Sequence, residues 1–135
     1  MDTSIFSRLN KTWIFDLDGT LVIHNGYKCG EDTLLPGIKD FFHNNITDTD
    51  YVLITTARHS EFKGIAEKCF LENQIRYNKI IYDMPNGERI LMNDIKPSGL
   101  KTAYSYNLDR DIGLWQLKLR WMILGTTIHI KDFAL

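Results

Sequence analysis

The chain is poor in most features that would assign it to a special class. It has two cysteines, Cys29 and Cys69, outside any C-x-x-C pair, and four scattered histidines, His24, His43, His59 and His129. That excludes a disulfide-framed scaffold and leaves no zinc-ligand spacing; two reduced thiols are the expectation. It has three prolines, no repeat and no low-complexity segment. No apolar run approaches the roughly 18 residues of a membrane span, the longest lying near Trp121-Met122-Ile123-Leu124, so no membrane partner is expected. Met1–Arg8 lacks a basic stretch followed by an apolar one, so a cytoplasmic location is expected. Lys and Arg total 16 against 17 Asp and Glu, a net charge of -1. Without a basic excess, general nucleic-acid binding is disfavoured. Asn45-Ile46-Thr47 matches a glycosylation acceptor, but reads as a turn.

What is present is an ordinary globular composition, 44% hydrophobic and 24% charged over 135 residues, which predicts one domain. Four short apolar runs end in polar residues: Trp13-Ile14-Phe15 before Asp16, Tyr51-Val52-Leu53-Ile54 before Thr55, Ile80-Ile81-Tyr82 before Asp83, and Ile90-Leu91-Met92 before Asn93. Such runs suit strands of a parallel sheet buried on both faces. Helical periods fall between them. Ile38, Phe41 and Phe42 predict a helix from Pro36-Gly37 to about Asn45; Phe62, Ile65, Ala66 and Cys69 predict a second, with Ser60 as N-cap and Asn73 near its end. Tyr104, Tyr106 and Leu108 alternate like a fifth strand. Strands alternating with helices define an α/β class, whose ligands bind beyond the carboxyl ends of the strands. The tail, residues 111–135, carries both helical and alternating patterns and stays open.

Asp16-Leu17-Asp18-Gly19-Thr20-Leu21 is the most informative stretch. Two carboxylates at i and i+2 beyond a buried strand repel each other unless a cation intervenes. Oxygen ligands of this kind suit Mg²⁺. Gly19 permits a tight turn that would bring backbone amides near an anion. A bare Asp/Gly turn is the bland alternative.

The order of strand ends raises the signal. The sequence resembles the haloacid dehalogenase superfamily, whose first motif, D-x-D-G-T-L after an apolar strand, is matched throughout by Asp16–Leu21. The second motif, an apolar strand ending in Thr or Ser and often followed by a small residue and Arg, is matched by Tyr51–Arg58. The fourth, an apolar strand ending in an acidic pair or close variant, is matched by Ile90–Asp94, with Asn93 in the first place. The resemblance spans about residues 11–110. It implies a Rossmann-like three-layer sandwich with a mainly parallel central sheet, and a phosphatase with Mg²⁺ as cofactor. Asp16 would be the nucleophile that forms an aspartyl-phosphate, and Asp18 the general acid and base. Mg²⁺ would be held by Asp16, the backbone carbonyl of Asp18 and Asp94, with Asn93 on a metal-bound water. Thr56 is placed first as the phosphate ligand, Thr55 second; Gly19, Thr20, Ala57 and Arg58 complete the substrate contacts. A carboxylic acid at Asp18 points away from the family's pump ATPases, which carry Thr there.

One motif departs. The family's third motif is a Lys, commonly in Lys-Pro, but Pro85 is preceded by Met84. Lys79 is the first choice to replace it, with Arg89, Arg58 and Lys96 as alternatives. Each also reads as a solvated surface charge.

The stretches Thr20–Thr56 and Arg58–Lys79 are too short for an inserted cap domain of about 50 residues, so a capless core with an open site is expected. His24, Asn25, Tyr27 and Lys28 lie in the loop that forms a flap in this family. Asn93–Ala103 looks like the segment of small members encoded with capsule and nucleotide-sugar pathways, implying a phosphorylated small molecule, a sugar phosphate or related metabolite, as substrate. The rivals are a catalytically weak or silent binding protein, given Met84, and a polynucleotide 3′-phosphatase. A receiver-type signalling domain fails on the order of its strand ends. The aromatic tail, Trp115, Trp121 and Phe133, either packs on the core or forms a homo-oligomer interface.

Overall fold

The computed structural model describes residues 5–115, 117–123 and 127–132. Phe133 lies outside them. The architecture is α/β with open parallel sheet. Strand β2 (Thr12–Asp16) pairs in parallel with β3 (Tyr51–Thr55), and β3 with β4 (Lys79–Ile81), giving the order β2-β3-β4. Helix α1 (Ile38–Asn45) connects the first pair and α2 (Lys63–Glu72) the second. A smaller sheet joins β1 (Ile5–Phe6) in parallel to β5 (Lys118–Ile123), which pairs antiparallel with β6 (Thr127–Asp132).

Side chains alternate across the pleat, so one face of the main sheet carries Phe15, Val52 and Ile54, all buried. Helix α1 covers that face with Ile38, Phe41 and Phe42; the Phe15 ring stacks on Phe42 at 4.9 Å and meets Phe41 edge-on at 6.1 Å. Ala66, Cys69 and Phe70 of α2 join the same core. The other face carries Ile14, half exposed at 50%, and Ile81. This corrects the expectation of burial on both faces: the apolar run of β2 was continuous, but only one side of it is covered.

Three of the four apolar runs form strands as read, and α1 has the expected bounds. The fourth does not. Ile90, Leu91 and Met92 lie on exposed coil, Met92 at 85% exposure, and Tyr104–Leu108 is likewise without strand pairing. An apolar run becomes a strand only when an edge accepts its backbone groups, and none does here. Ser60 begins a single 3₁₀ turn (Ser60–Phe62), and no side chain caps α2. Of the aromatic tail, Trp121 packs on Phe6, rings 5.6 Å apart, at the rim of the core. Among the described residues no helix is long and apolar enough to cross a membrane.

Candidate active site

The site is built where β2 and β3 end. Asp16 closes β2 in register with Thr55 of β3, and in-register neighbours face the same side. The register therefore sets Thr55 beside Asp16. Thr56, the first choice from sequence as phosphate ligand, is fully buried. Its hydroxyl donates to Asp18 Oδ2 at 3.5 Å and accepts from the Arg58 amide at 3.0 Å. Thr56 thus ties the turn after β3 to Asp18.

After Asp16 the chain turns sharply. Leu17 is buried, and its carbonyl accepts from the amides of Thr20, Leu21 and Val22, while the Gly19 amide donates to Val22 O at 2.7 Å. The Gly19 φ of 84° lies in the left-handed region, which glycine alone enters without strain. The amides of Gly19 and Thr20, both expected as substrate contacts, are used within the turn. Thr20 instead donates its hydroxyl to Asp16 Oδ2 at 3.2 Å. Partial burial pushes the Asp16 carboxyl above the usual carboxylate range. The Thr20 hydroxyl, the Leu17 amide and the positive charge of Arg89 oppose that shift, and Asp18 adds to it.

Asp18 has a different environment. Arg58 Nη2 donates to its Oδ1 at 2.7 Å and Nε to its Oδ2 at 3.2 Å. The same guanidinium reaches Asp32 through Nη1 at 2.8 Å and Nη2 at 2.9 Å. The side chains of Arg58 and Asp32 are wholly buried. Burial disfavours the cation, but the bonds and charges of the two aspartates outweigh it and raise the Arg58 pKa. Read from sequence as a substrate contact, Arg58 is here a buried strut without a face open to substrate. Ala57 sits between it and Thr56, at intermediate exposure.

The expected cation is also displaced. Lys79 opens β4 opposite Leu53, two rows before the Asp16–Thr55 row and two strands away. At roughly 3.3 Å per residue and 4.8 Å per strand, that is about 7 Å along the sheet and about 10 Å across it. The positive charge of Arg89 lowers the Asp16 pKa; its Nη1 donates to the carbonyls of Pro85 and Gly87, which holds its loop in a tight turn.

Asn93 and Asp94 lie on exposed coil, where the Thr102 hydroxyl donates to the Asp94 carbonyl and the Asn93 amide to Thr102 O at 3.5 Å. Among the described residues no three His, Cys, Asp or Glu side chains gather in a way that could hold a metal ion. Asp94, expected as a metal ligand beside the Asp16 carboxylate and the Asp18 carbonyl, lies on coil and not at the end of a formed strand. What stands at the end of β2 is the Asp16 carboxyl and the Asp18 backbone. That all-oxygen pair suits Mg²⁺, which keeps several waters and takes further ligands from a phosphate.

Two contributions were not read from sequence. Asp32 is one. The other is the segment Arg110-Asp111: the Asp111 amide donates to Gly19 O at 2.9 Å, and its carboxylate accepts from the His24 amide at 2.8 Å. A Cβ on Gly19 would lie 3.1 Å from Arg110 Cγ. Residues distant in sequence meet here without any local pattern to announce them.

No family model matches the sequence, and no curated protein does. The solved structures to which the chain is similar include those described as "Structure of Pnkp1/Rnl/Hen1 complex" and "Structure of the Pnkp1/Rnl/Hen1 RNA repair complex". Each is 24% identical with a TM-score of 0.48, over 66% and 65% of this chain. The chain matches 32% and 29% of the length of those chains, about a third of each.

Proposed function

We infer that the chain is a Mg²⁺-dependent phosphatase that hydrolyses a phosphomonoester through an aspartyl-phosphate on Asp16. The observation that carries this reading is the pair of carboxylates two residues apart beyond β2, held in unlike environments. Asp16 is partly desolvated and bonded by Thr20, and Asp18 is gripped by Arg58. The match of Asp16–Leu21 to the first haloacid dehalogenase motif supports the same assignment.

In the first half-reaction an Asp16 oxygen attacks phosphorus and the bond to the ester oxygen breaks. Asp18 gives the departing oxygen its proton. In the second, Asp18 takes a proton from water as that water attacks phosphorus, releasing phosphate and restoring Asp16. Mg²⁺, held by the Asp16 carboxylate and the Asp18 carbonyl, would supply the charge that lets two anions approach. Arg89 adds positive charge to the same end of the sheet. The substrate class is a sugar phosphate or related metabolite, which an open site admits.

The exposure of Asp94 and the distance of Lys79 favour one rival reading, a weak or silent binding protein. Hydrolysis of para-nitrophenyl phosphate decides between them. Turnover that requires Mg²⁺ and disappears in Asp16→Asn supports the phosphatase. No turnover across sugar phosphates, nucleotides and 3′-phosphorylated oligonucleotides overturns it; turnover confined to the oligonucleotides transfers the activity to nucleic-acid ends.

A further inference from the structure

We propose that Asp32 is a positioning residue for the reaction: acting through Arg58, it fixes the Asp18 carboxylate and ties the loop between the Asp16–Val22 turn and α1 to that group. The proposal rests on the phosphatase reading above.

The Arg58 guanidinium is held on two edges and one face. One edge grips both oxygens of Asp18 and another both oxygens of Asp32, with all four bonds between 2.7 and 3.2 Å. The Tyr27 ring lies 4.1 Å from its central carbon, and that ring rests against Phe62 at 5.0 Å. A planar fork gripped in this way sets direction as well as distance. Asp18 directly precedes the Gly19 turn, and among the described residues its carboxylate has only the 3.5 Å bond from Thr56 besides, so its plane is set by Arg58. Arg58 in turn is long and flexible, and Asp32 opposes it from the far side. Remove Asp32, and the guanidinium has one partner and a choice of rotamers.

Tyr27 and Asp32 belong to the loop between the Asp16–Val22 turn and α1. Tyr27 sits in a 3₁₀ turn (Gly26–Cys29), and Asp32 follows at the base of the loop. The loop thus contacts the catalytic carboxylate through one buried cation. Its order and the aim of Asp18 are coupled by that shared strut, and displacing a reacting group by about 1 Å costs on the order of a hundredfold in rate.

The test uses the full chain with para-nitrophenyl phosphate and Mg²⁺. Asp32→Asn keeps the size and some bonding but loses the opposing charge. We expect kcat to fall by about tenfold to a hundredfold with KM within twofold, and Asp32→Glu to recover part of the loss. Hydrogen exchange at the amides of residues 24–33 supplies a readout independent of activity, with exchange accelerating in both Asp32→Asn and Asp18→Asn. Should Asp32→Asn fail to fold, Tyr27→Leu, which removes only the ring over the guanidinium, lowers kcat by about threefold to tenfold on the same argument. A folded Asp32→Asn with wild-type kcat, or loop exchange unaltered in Asp18→Asn, overturns the proposal while leaving the phosphatase reading intact. An inactive wild type overturns the phosphatase reading itself, and with it any catalytic role for Asp32.

Discussion

The indole Nε1 of Trp13 donates to Asp50 Oδ2 at 2.9 Å, pinning the core side of β2 to the turn that starts β3. The same carboxylate accepts from the Lys11 amide at 2.9 Å and the Thr47 amide at 3.1 Å. Burial alone would raise its pKa, but these three donors outweigh burial and hold the Asp50 carboxyl below the usual range. A depressed native pKa stabilises the fold above the unfolded value, and that contribution is lost as pH falls from about 4 through the native value. Asp50→Ala should cost about 2–4 kcal/mol at pH 7, since it strands three donors. Its unfolding free energy in urea should fall less steeply than wild type below pH 4. An Asp50→Ala protein as stable as wild type at pH 7 would refute this.

Gly113 holds a positive φ of 79°, and a Cβ there would run into the Pro36 carbonyl. Leu114, one residue on, donates its amide to that same oxygen at 3.1 Å. The segment leading to β5 is therefore seated on the turn before α1 by backbone contact. Gly113→Ala adds both strain and collision, and should destabilise by about 2–4 kcal/mol. Gly87→Ala, with open space around its Cα, serves as the control. Thermal melts that do not separate the two variants would count against this seating.

Much of the fold was legible because its strands and first helix obey simple periods. Trp13–Phe15 and Tyr51–Ile54 end on polar residues, and Ile38, Phe41 and Phe42 recur at helical spacing. The same rule failed at Ile90-Leu91-Met92, whose pattern is as apolar, because periodicity records what a strand needs to bury and not whether an edge receives it. Ranking Thr56 ahead of Thr55 rests on the motif alone, without knowledge of the register. A one-residue change of register moves a side chain to the other face of the sheet, and only pairing with Asp16 shows which threonine shares its side. Asp32 was illegible for a third reason. Its partner, Arg58, is 26 positions away, and a single aspartate in a polar loop carries no signal of burial.

The two thiols should separate cleanly. Cys69 is buried on α2, and desolvation, with the charges of Asp32 and Glu72, pushes its thiol up to about 11, while Cys29 is exposed. The thiolate is the reactive form. At pH 8 a disulfide reagent should label Cys29 alone in the native protein, and both cysteines in denaturant. Equal labelling of both without denaturant would contradict the burial of α2.

The charge that serves Asp16 can be located by a paired substitution. Arg89 lowers the Asp16 pKa across space, and its loop is braced by its own bonds to Pro85 O and Gly87 O. Lys79 starts β4 two rows back and two strands away. Preorganised positive charge beside a reacting phosphoryl group contributes on the order of tenfold to a thousandfold in rate. Arg89→Ala should therefore lower kcat on para-nitrophenyl phosphate by at least about tenfold, with Arg89→Lys recovering part of it because the charge survives. Lys79→Ala should leave kcat within about twofold, since a solvated charge at that distance is screened. The reverse ranking, Lys79→Ala crippled and Arg89→Ala intact, would mean that β4 slides or turns to bring Lys79 to the phosphate, and the register found here would not be that of the working enzyme.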